Sequence, residues 1–297
     1  MAQQRSTTLN KNLIILHFTV FIWGFTSILG QLISISAVQL VWYRVLIAFV
    51  SLFFYFKFSK KAIIVTRKAL LQFVFTGALV CGHWVLFFAA IKLSNVPVTL
   101  VCLSSITLFT SIFEPLINKT KISKLEVVSG LFIICGIALI FKFETQYTKG
   151  IICALASALL GSIFPIINSR QVKKYEAPII AFYELIGAFI WASIYLFATN
   201  GYTSSMFLKP SDIGYLLVLG TVCTALAYVA GVSVMRELSA FKVALITNLE
   251  PVYGILLSFA FFGDMNKMTL GFWAGAVIIL STIFLFPVAQ RRFSITK

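Results

Sequence analysis

Charge is scarce in this chain of 297 residues: 11% of residues are charged and nine are acidic, against 60% hydrophobic. A soluble domain carries about 25% charged residues, so a water-soluble fold of this size would lack the polar surface to clothe it. Histidine is scarcer still, with only His17 and His83, far apart in sequence and without an adjacent acid. There is no H-E-x-x-H, no G-x-S-x-G and no P-loop, which excludes the recognisable hydrolase and nucleotide-motor constellations. The chain therefore reads as neither an enzyme nor a self-sufficient ATP-driven pump. The five cysteines, Cys81, Cys102, Cys135, Cys153 and Cys223, each lie in an apolar run and form no C-x-x-C pair. Disulfides, a metal site and a bound cofactor are not expected, and the cysteines read as small buried hydrophobes. Arg/aromatic interleaving of the RNA-binding kind is also missing, so the net charge of +15 does not imply a nucleic-acid partner.

What is abundant is long apolar sequence. A spanning helix needs about 20 predominantly apolar residues, and ten such segments can be marked: 12–33, 38–57, 70–90, 97–117, 125–142, 150–169, 178–198, 212–234, 241–262 and 268–289. The polar stretch "MAQQRSTTLNKN" leads into a full-length apolar segment with no small-residue cleavage site after it, so that segment is expected to be a retained span rather than a signal peptide. With the N-terminus placed inside, eighteen of the 24 Lys and Arg fall in loops at one end, five fall at the other, and Arg44 lies within span two. Cytoplasmic loops collect Lys and Arg. The pattern predicts an all-α integral membrane protein in a bilayer, with ten transmembrane helices and both termini cytoplasmic.

Sliding the chain by 145 residues sets Leu93 on Leu238, Ser94 on Ser239, Leu125 on Leu270, Gly130 on Gly275 and Phe141 on Phe286. Spans four and five then fall on spans nine and ten. Two repeats follow, residues 1–145 and 146–297. With five spans each, the second enters the membrane from the opposite side. Such inverted five-helix repeats are the architecture of many secondary transporters, whose sites lie near the midplane between the halves.

Several segments carry a resemblance. "FIWGFTSILGQ" (21–31), "WYRVLIAFVSLFF" (42–54), "FFAAIKLSNVPVTLVCLSSITLFTSIFEPLI" (87–117) and "GVSVMRELSAFKVALITNLEPVYGILLSFAFFGD" (231–264) look like the drug/metabolite transporter superfamily, specifically its ten-span EamA-type members. The resemblance covers nearly the whole chain. Gly263-Asp264 stands where the family commonly has Gly-Glu. The resemblance implies a multispecific or metabolite transporter of the bacterial cytoplasmic (inner) membrane, frequently an exporter. Amino acids or related small metabolites are the substrates it suggests.

Ionisable groups inside a bilayer are costly and usually face a bundle interior or a water cavity. Glu250 lies about 14 Å into span nine by helical rise, and Pro251 after it deprives the Thr247 carbonyl of its helical partner. The pair reads as a proton, cation or substrate-amine site beside a helix break. A protonated, hydrogen-bonded Glu250 beside a simple kink is the competing reading. Ser105 is its counterpart under the 145-residue shift. Glu184 in span seven reads as a second proton relay, a partner for a basic side chain, or a carboxylate at the membrane interface. Arg44, near the outer end of span two, either binds a substrate carboxylate, serves structure or gating, or snorkels to the interface. His83 either relays protons or packs; Trp23, Trp84, Tyr228 and Tyr253 are candidates to shape a pocket or face a cation. Glu114 reads as a snorkelling side chain or a partner of Lys119 or Lys121. Gly271 and Gly275 form a GxxxG that packs helices either within the chain or in a homodimer.

Together these residues predict a secondary transporter that exports amino acids or related small metabolites by alternating access. Proton coupling and uncoupled exchange fit the sequence equally, and a channel for small solutes is the alternative.

Overall fold

The computed structural model describes residues 2–120, 124–263 and 268–295; Lys121, Asp264, Lys267 and Lys297 lie outside them. Regular structure among the described residues is helical throughout: α1 (Ala2–Leu32), α2 (Ala37–Ser59), α3 (Arg67–Leu93), α4 (Val96–Leu103), α5 (Ile106–Asn118), α6 (Lys124–Phe143), α7 (Thr148–Gln171), α8 (Ala177–Ala198), α9 (Pro210–Gly220), α10 (Ala227–Val234), α11 (Ala240–Thr247), α12 (Leu249–Phe262) and α13 (Leu270–Ile295). A π-helical turn, Thr221–Leu226, joins α9 to α10.

Eight stretches among the described residues are long and apolar enough to cross a membrane: Lys11–Leu32, Ala37–Ser59, Arg67–Leu93, Val96–Asn118, Thr145–Gln171, Ala177–Ala198, Pro210–Val234 and Ala240–Phe262. The fifth and tenth expected spans meet shorter apolar stretches, Val128–Phe143 and Leu270–Phe286. Lys124 and Glu126 open α6, and Arg291 and Arg292 follow the apolar part of α13, so charge trims both runs. Large apolar side chains face outward, among them Phe58, Phe75, Leu131 and Leu217, while Arg44, Glu184, Ser157, Asn168 and Thr224 are buried. That is the polarity expected when the surrounding solvent is hydrocarbon.

Polar residues set the helix boundaries. Ser36 caps α2 in a capping box with Gln39, Thr66 caps α3, Asn95 accepts from Val98 N ahead of α4 and Ser239 caps α11. Each satisfies backbone N–H groups that a helix start leaves without partners. Gly263 ends α12 in the left-handed region at φ 65°, where a residue lacking Cβ fits without strain.

Loop contacts sort into two ends of the bundle. At one end Lys61 pairs with Glu176 at 3.0 Å, the Tyr183 hydroxyl donates to Ile63 O, Arg170 donates to Ile117 O and Asn118 Oδ1, and Arg236 donates to Val172 O. At the other end Ser34 donates to Asp212, Gln39 to Gly201 O and Ser205, Lys92 to Ile33 O and Thr269 to Glu144. Successive loops alternate between these ends.

Two transmembrane stretches are broken in the middle. Val96–Asn118 is interrupted at Ser104 and Ser105, and Ala240–Phe262 at Asn248. The breaks touch: Asn248 Nδ2 donates to Thr107 Oγ1. Alongside, α6 packs mainly on α13. A Cβ on Gly136 would lie 2.9 Å from Gly275 O, one on Gly275 would lie 2.6 Å from Gly136 O, and one on Gly271 would strike the Phe143 ring. The GxxxG of α13 is thus filled from within the chain, because glycine there lets the two backbones touch.

Candidate functional site

The broken helices matter because a cavity opens beside them. It encloses about 850 Å³, part of it open space. Its wall runs from Met235 and Val243, near the Arg170 end, up to Arg44 and Phe87. Six residues anticipated from sequence line it: Trp23, Arg44, His83, Trp84, Tyr228 and Glu250. They come from five different helices, so only the fold brings them together.

Arg44 does not snorkel. It is 1% exposed and sits on the cavity wall, where its Nε donates to Thr224 Oγ1 at 2.6 Å. Its guanidinium carbon lies 4.0 Å from the Trp84 ring centroid, a cation–π arrangement. Its Nη1 is buried and has no hydrogen-bond partner. Thr224 accepts Arg44 because it sits in the π-helical turn, where its own hydroxyl donates to Leu219 O, five residues back.

Glu250 reaches the wall from the first turn of α12, just past the break. Asn248 caps the end of α11, so Thr247, on the wall of the same cavity, is the last residue of a short helix in mid-span rather than part of a continuous one. Pro251 is buried in the first turn of α12, a position that suits a residue without an N–H. Arg44 and Glu250 interact electrostatically but form no ion pair within 4.0 Å; among the described residues the ion pair is Lys61–Glu176.

His83 both lines the cavity and packs. Its Nδ1 lies 2.9 Å from Ser157 O and 2.9 Å from Ser157 Oγ, and Gly161 leaves the room its ring occupies. Glu184 is off the wall. It is fully buried and held by the Tyr228 hydroxyl at 2.7 Å and Asn168 Nδ2 at 3.0 Å; no basic partner meets it among the described residues. Ser105 is also off the wall: its hydroxyl donates to Cys102 O at 2.7 Å, within its own break. Tyr253 turns from the cavity to pack against α1, edge-on to Phe21 at 5.4 Å. Glu114, expected to snorkel or to meet Lys119 or Lys121, accepts from Phe241 N at 2.8 Å. It caps the start of α11, where the helix dipole favours a carboxylate.

Thr224, Asn168 and the Asn248–Thr107 contact are not apparent from ionisable residues alone. The available signal was amide and hydroxyl side chains inside apolar runs. The π-helical turn has no sequence signature.

The sequence model of the EamA-like transporter family matches residues 11–142 and again 148–287. A protein of Archaeoglobus fulgidus described as an uncharacterized transporter is 21% identical over 215 residues, covering 69% of this chain and 71% of that protein. A crystal structure described simply as that of a protein overlays with a TM-score of 0.68 at 14% identity, covering 95% of this chain and 99% of its own. That likeness concerns the fold alone.

Proposed function

The chain belongs to the EamA-like transporter family, and on that premise we propose that it exports amino acids or related small metabolites by alternating access, holding them between Arg44 and Glu250. That it is a membrane transporter rather than an enzyme, with a small-molecule substrate and a lipid surround, follows from the family. The carrying observation is the cavity wall itself. It presents a buried guanidinium with an unpartnered Nη1 and a carboxylate that forms no ion pair with it. A zwitterion satisfies both: its carboxylate on Arg44, as charge-assisted recognition favours, and its ammonium on Glu250. Trp23, Trp84 and Phe87 supply the apolar remainder.

Two inverted five-helix repeats, residues 1–145 and 146–297, are supported by the packing. Under the 145-residue shift, α4 on α12 exchanges with α11 on α5, α1 on α12 with α7 on α5, and α3 on α7 with α10 on α1. The two breaks exchange as well. α6 and α13 would then be spans five and ten, short enough to need local bilayer thinning. The basic residues of the Lys61 and Arg170 end favour that end, with both termini, as cytoplasmic, in a bacterial inner membrane. A homodimer loses the support of Gly271 and Gly275, which α6 covers.

The test is flux in proteoliposomes with a mixed pool of amino acids and amphiphilic cations. Saturable amino-acid flux is expected, with amines lacking a carboxylate transported poorly. Equal transport of those amines would remove Arg44 from recognition. Non-saturable flux would favour a channel, and saturable flux indifferent to any pH gradient an uncoupled facilitator.

A further inference from the structure

Glu184 occupies a place the substrate pocket does not use. It is 0% exposed on α8 and sits one residue behind the cavity wall. The residue between is Tyr228, which lines the cavity and donates its hydroxyl hydrogen to Glu184 Oε2 at 2.7 Å. Asn168 Nδ2 donates to the same oxygen at 3.0 Å and lies 3.3 Å from the Tyr228 oxygen. Glu184 Oε1 and Asn168 Oδ1 are buried with no hydrogen-bond partner. Two neutral donors converge on one carboxylate oxygen and none reaches the other, and no cation pairs with it among the described residues. An ionised carboxylate sealed in this way is penalised by the loss of water. A proton on the carboxylate would remove the uncompensated charge.

We propose that Glu184 is a proton-binding site separate from the substrate pocket, loaded and unloaded through the Tyr228 hydroxyl, and that it gives the transport cycle its coupling ion. The coupling role rests on the transport reading above; the proton site does not. In loading, Tyr228 passes its hydroxyl hydrogen to Glu184 while its oxygen takes a proton from the cavity side. Unloading is the reverse, so Tyr228 ends each transfer neutral. Asn168 is a positioning residue that holds both partners.

The link to the substrate pocket runs along one helix. Tyr228 lies one turn after Thr224, the π-turn residue bonded to Arg44. A carboxylate that draws Arg44 away from Thr224 acts on the same helix that Glu184 holds through Tyr228. π-helical turns are strained insertions found often at functional sites, and this one sits at the junction.

The other ionisable groups on the elements packed against α8 are engaged elsewhere or lie at the ends. α10 presents Tyr228 to Glu184, and α7 presents the neutral Asn168. α2 brings Arg44, held by Thr224 and stacked on Trp84, with Lys57 at its exposed end. α3 brings His83, held by Ser157, and the buried thiol Cys81, with Arg67 and Lys68 at its exposed start and Lys92 bonded to Ile33 O at its other end. Arg170 of α7 is bonded to Ile117 and Asn118.

The experiment pairs infrared spectroscopy with flux on the reconstituted full chain. In pH-difference infrared spectra, a protonated-carboxyl C=O band is expected to titrate in wild type, vanish in Glu184→Gln and move in Tyr228→Phe. In proteoliposomes, Glu184→Gln is expected to lose accumulation driven by a pH gradient, at least tenfold, while exchange of labelled for unlabelled amino acid persists. An unchanged titrating band in Glu184→Gln would overturn the proton site. Undiminished gradient-driven accumulation in that variant would overturn the coupling role. If wild type moves no amino acid in either mode, the transport reading fails by itself, and the infrared titration still decides the proton site.

Discussion

The seam between α6 and α13 and the wall of the cavity both bury helix surface, with opposite chemistry. At the seam, Gly136 and Gly275 bring backbones together and Phe143, Ile140 and Ile279 fill the sides. At the cavity, the buried surface carries Arg44, His83, Tyr228 and Glu250. Between helices in lipid there is little hydrophobic drive, so association depends on close approach; the seam is built for that alone. The cavity holds charges that cost at least about 2.5 kcal/mol each to embed. The difference teaches that small residues mark where two of these helices are held together, and buried polar and ionisable side chains mark the cavity proposed above as the substrate site.

Breaking each side separately sharpens the contrast. The largest effect is expected at the cavity. Arg44→Gln removes charge-assisted bonds of about 1.5–3 kcal/mol, so the apparent affinity for a carboxylate substrate should fall roughly 10- to 100-fold. Saturation curves in proteoliposomes read this, and transport of an amine without a carboxylate should change far less. At the seam, Gly275→Leu should cost about 1–3 kcal/mol through overpacking. Its signature is a lower melting temperature in detergent with substrate affinity retained. A matching loss of affinity would mean the two regions are not independent. Glu114→Gln, which weakens the cap of α11, should cost about 1 kcal/mol, read by the same melting assay and by faster hydrogen exchange at Phe241.

The smallest effect belongs to the loops. Lys61 is held above the usual ammonium range by its hydrogen bond to Glu176. A raised folded value means the contribution is present at neutral pH and lost as pH climbs through that value. The pair is solvent-exposed, and such pairs contribute little. Lys61→Met should leave the melting temperature unchanged within error at neutral and alkaline pH, and a large drop would reveal a latch at that end.

Much of the fold was legible because the bilayer imposes a simple code. Apolar runs of spanning length mark eight stretches directly, and charge at the starts or ends of α6 and α13 explains why those two fall short. The candidate site was legible in part for the same reason: Arg44 and Glu250 stand out where charge is expensive. Ser105 and Tyr253 lie off the cavity wall, because position along a helix does not give its facing. A hydroxyl can turn to its own backbone, as Ser105 does to Cys102, and an aromatic can turn to a neighbouring helix, as Tyr253 does to α1. For Glu114 the sequence did not reveal Phe241 N, a donor 127 residues away along the chain.

The sequence by itself determined that this chain is helical and membrane-embedded, because composition and run length respond to the solvent alone. It also carried the 145-residue offset that sets Leu93 on Leu238 and Gly130 on Gly275, from which the repeat is proposed. The tertiary structure alone decided that Arg44 and Glu250 share a cavity without pairing, that Glu184 answers to Tyr228 and Asn168, and that the α13 glycines face α6. Each depends on which faces of different helices meet or on a turn of π-helix, and neither leaves a local pattern to read.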